Sequence, residues 1–214
     1  MKQLLFFGLL LQFLPAFCQE KERRSGALIN ECHVSVNHGI PFYSNDRTFF
    51  GGGLGLSHVF RPNRVVGARI GLEADFFHVW RGDTQPPESD KTRRNQHFYL
   101  TKVSLPVNLR ITLGRKARFL VELGGRFGLI VSAYYTADVL QTGPGYAPFF
   151  EHQKTAHGPV GLGFFGLNSG IGTLIPLNEK LDLLIRPDVG ANLYFRETAD
   201  INLYARLCVG IHLK

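Results

Sequence analysis

From residue 65 to the C-terminus, apolar and polar residues alternate with a period of two, in stretches of seven to twelve positions. That period belongs to a β-strand with one apolar and one polar face, and it excludes amphipathic helices, whose apolar positions recur every three or four residues. One stretch sets Val66, Ala68, Ile70, Leu72, Ala74 and Phe76 against Gly67, Arg69, Gly71, Glu73 and Asp75. The next sets Val103, Leu105, Val107, Leu109, Ile111 and Leu113 against Lys102, Ser104, Pro106, Asn108, Arg110 and Thr112. A third sets Phe119, Val121, Leu123, Phe127, Leu129, Val131 and Ala133 against Glu122, Gly124, Arg126, Gly128 and Ser132. Towards the C-terminus, residues 181–193 turn Asp182, Arg186 and Asp188 to the polar side, and residues 201–213 turn Tyr204, Arg206 and His212 there.

Three less regular segments, residues 26–37, 49–60 and 158–175, bring the expected number of strands to eight. The third changes parity around residues 166–170, which predicts a bulge or glycine kink there. The connections alternate in length. Residues 61–64, 114–117 and 176–180 read as tight turns, whereas 38–48, 81–96, 138–157 and the shorter 196–200 read as loops. An even number of strands, with short turns at one end and longer loops at the other, is the layout of an up-and-down transmembrane β-barrel. The expected fold is therefore all-β, an eight-stranded antiparallel barrel.

A soluble barrel with an apolar interior writes the same alternation as a membrane barrel with an apolar exterior. Three features favour the membrane. First, the polar face mixes glycine with charges of both signs: Arg69, Lys102, Arg110, Arg118, Arg126, Arg186 and Arg206 against Glu73, Asp75, Glu122, Asp182 and Asp188. Interleaving of that kind suits mutual pairing in a narrow lumen, because a buried charge without a partner is very costly. Second, aromatic residues collect beside the long loops, including Phe50, Phe77, Trp80, Tyr99, Tyr134, Phe164 and Tyr194, as in an interfacial girdle. Third, the apolar stretches reach the roughly 9–11 residues that a tilted strand needs to cross the hydrocarbon layer.

The N-terminus fits export. Met1-Lys2, an apolar run from Leu4 to Leu14 and the ending Pro15-Ala16-Phe17-Cys18 read as a signal peptide over residues 1–18, cleaved before Gln19. Residues 19–214 then form one outer-membrane barrel domain. Cleavage lowers the formal net charge of +7 by one, because Lys2 leaves and no acid does. Basic residues are spread along an exported chain rather than concentrated, so nucleic-acid binding is not expected. Phe17 stands where a lipoprotein site wants a small residue, which argues against acylation of Cys18. Cys32 and Cys208 fall on opposite strand faces, so no disulfide is expected between them.

The stretch Tyr99-Leu100-Thr101-Lys102-Val103-Ser104-Leu105-Pro106-Val107-Asn108-Leu109-Arg110 resembles the central strand of the PorT-like outer-membrane β-barrel proteins of Bacteroidetes-type Gram-negative bacteria, with its leucine, proline, apolar, variable, leucine, basic pattern. Gln19 directly after the cleavage point is similar too, and in layout the resemblance extends over residues 19–214. It implies a fold and a location more than an activity. The chain departs from the common pattern in ending Ile211-His212-Leu213-Lys214 without a terminal aromatic.

Eight strands make a lumen that side chains fill, so an open pore is not expected. Arg69, Glu73, Asp75, Lys102, Arg110, Glu122, Arg126, Asp182, Arg186, Asp188 and Arg206 read as a lumen charge network rather than a substrate path. Catalytic residues are not expected: Ser57 and His58 are neighbours and point to opposite faces, and His78 beside Trp80 reads as an interface residue. A metal site is not expected either, since His152, His157 and Glu151 share a loop without defined ligand spacing. Nor does any motif imply a cofactor. Arg81-Gly82-Asp83, at a loop start, is a tripeptide that three common residues form by chance.

Function is expected in the loops, which a rigid barrel positions. Tyr146, Phe149 and Phe150 form an aromatic cluster in residues 138–157, read either as a partner-binding loop or as a loop packed on the barrel mouth. The expected role is a non-enzymatic, monomeric outer-membrane barrel that meets membrane lipid along its wall. Its surface loops would serve binding, or an accessory part in an envelope or secretion complex. Two other readings stay open: a lipid-modifying barrel enzyme and a soluble periplasmic carrier of an apolar ligand.

Overall fold

The computed structural model describes residues 28–41, 49–60, 65–84, 92–114, 118–142, 147–156, 161–195 and 200–214. The predicted signal peptide, Tyr146 and His157 lie outside them. The described elements are nine strands: β1 (Glu31–Pro41), β2 (Phe49–Phe60), β3 (Val66–Thr84), β4 (Arg93–Leu113), β5 (Arg118–Gln141), β6 (Phe149–Ala156), β7 (Gly163–Pro176), β8 (Leu181–Tyr194) and β9 (Asp200–Leu213).

Eight of the strands pair antiparallel in a cycle. β1 pairs with β2, β2 with β3, β3 with β4 and β4 with β5. β5 then pairs with β7, β7 with β8 and β8 with β9, and β9 returns to β1 through a register from Glu31↔His212 to Pro41↔Asn202. The ring leaves no edge within its height. β6 is the ninth strand and corrects the predicted loop over residues 138–157: it pairs with the upper part of β5, from Tyr134↔Ala156 to Gln141↔Phe149. β7 pairs with the lower part of the same edge, from Arg118↔Leu174 to Leu129↔Gly163, so β6 and β7 lie head to tail along β5.

The remaining strands have unequal lengths. β1, β2, β7, β8 and β9 have 11 to 14 residues, whereas β3, β4 and β5 have 19, 21 and 24. About 9–11 residues suffice to cross a bilayer at the usual tilt. The excess of β3, β4 and β5 therefore continues past the barrel rim and, with β6, forms a four-stranded extension. The loops predicted from residues 81 and 138 accordingly begin later than expected, and the backbone of Arg81-Gly82-Asp83 belongs to β3. At the opposite end Asn178 closes the β7–β8 turn by accepting the N–H groups of Lys180 and Leu181, each at 2.9 Å.

Two parity expectations are corrected. β7 keeps one register throughout, with Phe164, Gly166, Asn168, Gly170 and Leu174 all inward, so no bulge interrupts residues 166–170. The apolar pattern shifts there because Phe164 and Leu174 face the interior at its two ends. A register shift occurs instead in β5, between the pairs Thr101↔Ser132 and Lys102↔Ile130. The extra residue, Val131, reverses which side chains point inward, so Ala133 is buried rather than lipid-facing.

Small residues give the interior its room. The ring of His33 lies over Gly55, where an added Cβ would fall 2.1 Å from the imidazole Cε1. Gly170 likewise makes space for Asp188, with 2.1 Å between such a Cβ and Oδ1. The alternation of glycine with long charged residues, already visible in the sequence, is thus a packing arrangement: one strand yields the volume that its neighbour's side chain fills.

Candidate functional site

The outer wall is apolar and the interior is charged. Leu123 and Leu167 are 64% and 61% exposed, while Arg69 and Arg186 are 0% exposed. Val66, Ile70, Leu72, Leu105, Val107, Leu109, Val189 and Leu207 extend the apolar wall around the ring. Water-facing apolar area on this scale would be unstable, and the same surface is what a hydrocarbon solvent requires. Tyr99 stacks on His78 and on Tyr134 at 4.8 and 4.6 Å between centroids, and Phe50 lies 4.5 Å from His38, which makes a row of rings at the loop-side rim.

Inside, all eleven charges named from the sequence are buried, and Glu31 joins them. With Glu31 the described interior holds six basic residues (Arg69, Lys102, Arg110, Arg126, Arg186, Arg206) and six acidic ones (Glu31, Glu73, Asp75, Glu122, Asp182, Asp188). Glu122 meets Arg69 at 3.0 Å, Arg110 at 2.5 Å and Arg186 at 3.1 Å. Arg110 and Arg186 also reach Glu31, at 2.7 and 3.5 Å. Arg69 reaches on to Glu73 at 3.4 Å, and Glu73 pairs with Arg126 and with Arg206. Asp188 bridges Arg186 and Arg206, each at 2.8 Å, and so returns the chain of pairs to its start.

The remaining charges sit above and below this ring of ion pairs. Asp75 accepts a hydrogen bond of 2.7 Å from Asn37 and lies 3.7 Å from Arg126. Asp182, nearest the short turns, pairs with Arg118 and, at 2.9 Å, with Lys214. Lys102 is handled differently. Its ammonium donates to Tyr194 Oη and lies 4.7 Å from the Phe77 ring centroid and 5.0 Å from that of Tyr194, so aromatic faces surround it.

Apolar layers bracket the network. Towards the loops Leu100, Ile130, Ala133, Phe164 and Tyr194 pack together, with Phe77 and Phe98 against them. Towards the short turns Leu120, Leu174 and Leu184 form a second cluster. A cavity of about 20 Å³ beside Asp75, Lys102, Tyr204 and Arg206 has room for about one water molecule. The predicted aromatic girdle is therefore divided: Phe50, Tyr99, Tyr134 and Phe195 face outward, while Phe164 and Tyr194 turn in and close the lumen.

Other residues singled out in the sequence are separated. Ser57 is buried in the lumen, where its Oγ lies 3.4 Å from Glu31, and His58 is on the outer wall 4.4 Å from the Phe60 ring. His78 Nε2 lies 2.9 Å from His97 Nδ1 in the aromatic row. Cys208 lies in the lumen beside Asp188 while Cys32 is on the lipid-facing side of β1, opposite Ile211. Those directions keep the two thiols apart.

The extension is the part of the described chain built beyond the membrane. Phe149 and Phe150 stand on β6 rather than in a loop, and both are exposed, with the Arg94 guanidinium 4.5 Å from the Phe150 ring centroid. Neighbouring β6 side chains fold back towards β5: Gln141 donates to Glu151 at 2.8 Å, His152 Nδ1 lies 2.8 Å from Asp138, and Lys154 lies 4.3 Å from the Tyr134 ring centroid. Asn95 also donates to Asp138 at 2.7 Å, and these two hydrogen bonds hold the Asp138 carboxyl below its ordinary range.

A closed antiparallel barrel with an apolar wall, an ion-paired interior and strands that overrun one rim is an outer-membrane β-barrel protein. No family model matches the sequence, and no curated protein does. Among solved structures, the chain is similar to neisserial surface protein A, at 13% identity over 87% of this chain and 96% of that one with a TM-score of 0.46. Two others are a major outer membrane protein from Thermus thermophilus (13%, 86% and 99%, 0.40) and the attachment invasion locus protein Ail of Yersinia pestis (10%, 86% and 95%, 0.38).

Proposed function

We propose that the protein is a non-enzymatic binding or accessory barrel of the outer membrane, in which the membrane-spanning part is an anchor and the extension meets a partner. The observation that carries this reading is the contrast between the two parts. The lumen is filled by paired charges between two apolar layers, whereas Phe149 and Phe150 are held exposed on an ordered strand beyond the rim. Aromatic residues, phenylalanine among them, are enriched at the cores of protein interfaces. On this reading the chain is a PorT-like barrel, and its partner belongs to an envelope or secretion complex.

The test is to replace Tyr146, Phe149 and Phe150 together by serine in the full-length protein, expressed in its outer membrane. The expected result is loss of the proteins crosslinked to the surface of the wild type, with the barrel still migrating as a folded species before boiling. A folded variant with an unchanged crosslinked set would overturn the proposal.

A further inference from the structure

The barrel ring has no edge, but among the described residues the extension has two. β8 ends at Tyr194, opposite Phe164, and among the described residues no strand pairs with the side of β6 that faces away from β5. At the other side β2 begins at Phe49, and among the described residues nothing pairs with the top of β3 away from β4, which makes a second edge. The two differ. The β3 edge is broken by register shifts between Trp80 and Gly82 and between Gly82 and Thr84, a device that blunts edge pairing. β6 runs through eight successive pairs with β5 without a shift.

The hydrogen-bonding direction on β6 follows from its neighbour. Leu140 donates its N–H to Thr92 O at 3.0 Å, so it faces β4, and the alternate residues Val139 and Gln141 face β6. Glu151, paired with Val139, and Phe149, paired with Gln141, therefore turn their backbone groups to β5. Phe150, His152 and Lys154 turn theirs to the open side. Charged side chains guard an edge by reaching over its backbone. Those of Glu151, His152 and Lys154 instead stay on the sheet faces, beside Gln141, Asp138 and Tyr134, where the backbone edge is open and the charges can still meet a directly opposite residue.

We infer that β6 is a docking edge to which an extended segment of another protein adds as a further antiparallel strand, with a basic residue opposite Glu151 and an acidic one opposite Lys154. This rests on the binding role proposed above and specifies its mode: backbone hydrogen bonds from the edge supply affinity and the two charges set register. A second copy in the same membrane is disfavoured, since its β6 runs in the same direction and in-register pairing would set Glu151 against Glu151 and Lys154 against Lys154.

The test uses the full-length protein folded in detergent micelles and a synthetic octapeptide with the sequence of residues 149–156, which in antiparallel register sets its lysine opposite Glu151 and its glutamate opposite Lys154. Fluorescence anisotropy should show saturable binding, weakened about tenfold when the peptide's two charges are exchanged. His152→Pro, which removes an outward N–H and leaves the β5 ladder intact, should abolish binding, while His152→Ala, which loses the same Asp138 contact but keeps the N–H, should still bind saturably. Absence of saturable binding, or binding by His152→Pro equal to that of His152→Ala, would overturn the docking edge. The same two variants, crosslinked in the outer membrane, separate the two ideas. Partner loss on Tyr146, Phe149 and Phe150 replacement but not in His152→Pro overturns the edge and leaves the binding role standing; retention in both overturns both.

Discussion

Glu122 meets three guanidinium groups, and nearly all the buried charge on the lower half of the lumen converges on it and Glu31. Removing one member of a buried ion-pair network leaves uncompensated charge in a low-dielectric space and costs about 3–5 kcal/mol. Glu122→Gln keeps the volume and removes the charge. The urea midpoint at which the unheated gel mobility is lost should fall by that free energy divided by the m-value, and an unchanged midpoint would show that the network does not hold the barrel. Most of this interior is legible in the sequence, because each charge sits on the polar phase of a regular strand. Glu31 is the exception, since the first strand reads less cleanly. A signal existed: Glu31, His33, Ser35 and Asn37 alternate with Cys32, Val34 and Val36, and the other buried charges are six basic against five acidic. Leu120 and Leu184 share the polar phase with Glu122 and with Asp182 and Arg186, so parity alone places them inward, whereas Leu174 was hidden by the parity change read into residues 166–170.

Asp138 on β5 accepts from Asn95 on β4 and contacts His152 on β6, and so ties three strands of the extension together. Its carboxyl titrates below the ordinary aspartate range, through the Asn95 bond first and the His152 bond second, so ionisation favours the folded extension. The contribution is present above the unfolded-state pKa and is lost as pH falls through the depressed folded value. Amide exchange of the extension, the upper parts of β4 and β5 together with β6, read by mass spectrometry, should stay slow near neutrality and accelerate only in acid below the usual aspartate range. Exchange that already rises near neutral pH would contradict that. β6 itself was not legible: Phe149-Phe150-Glu151-His152-Gln153-Lys154 stands beyond the membrane with neither face against a core, so nothing imposes alternation on it. The bulge at Val131 was hidden for a related reason, since Ile130, Val131 and Ala133 are apolar on either face.

At the scale of the molecule, the fold inverts a soluble protein: charges fill the centre and leucine, valine and phenylalanine cover the wall. The lumen is closed by Leu100, Ile130, Phe164 and Tyr194 above and by Leu120, Leu174 and Leu184 below. Planar bilayers containing the purified protein should therefore show no stepwise ion conductance, and steady channel currents would contradict the sealed interior. The up-and-down barrel was the most legible feature because β3, β4, β5, β8 and β9 each meet lipid on one side and paired charge on the other, which writes the same period along the chain, whereas β2 and β7 put glycine and uncharged residues inside. Its inside-out character is tested most directly by placing a fluorophore on the wall. In Trp80→Phe/Leu109→Trp, folded into vesicles, brominated lipid chains should quench the indole strongly and aqueous iodide should not. Quenching by iodide, with no effect of brominated lipid, would mean that this wall faces water and that the barrel is not a membrane protein.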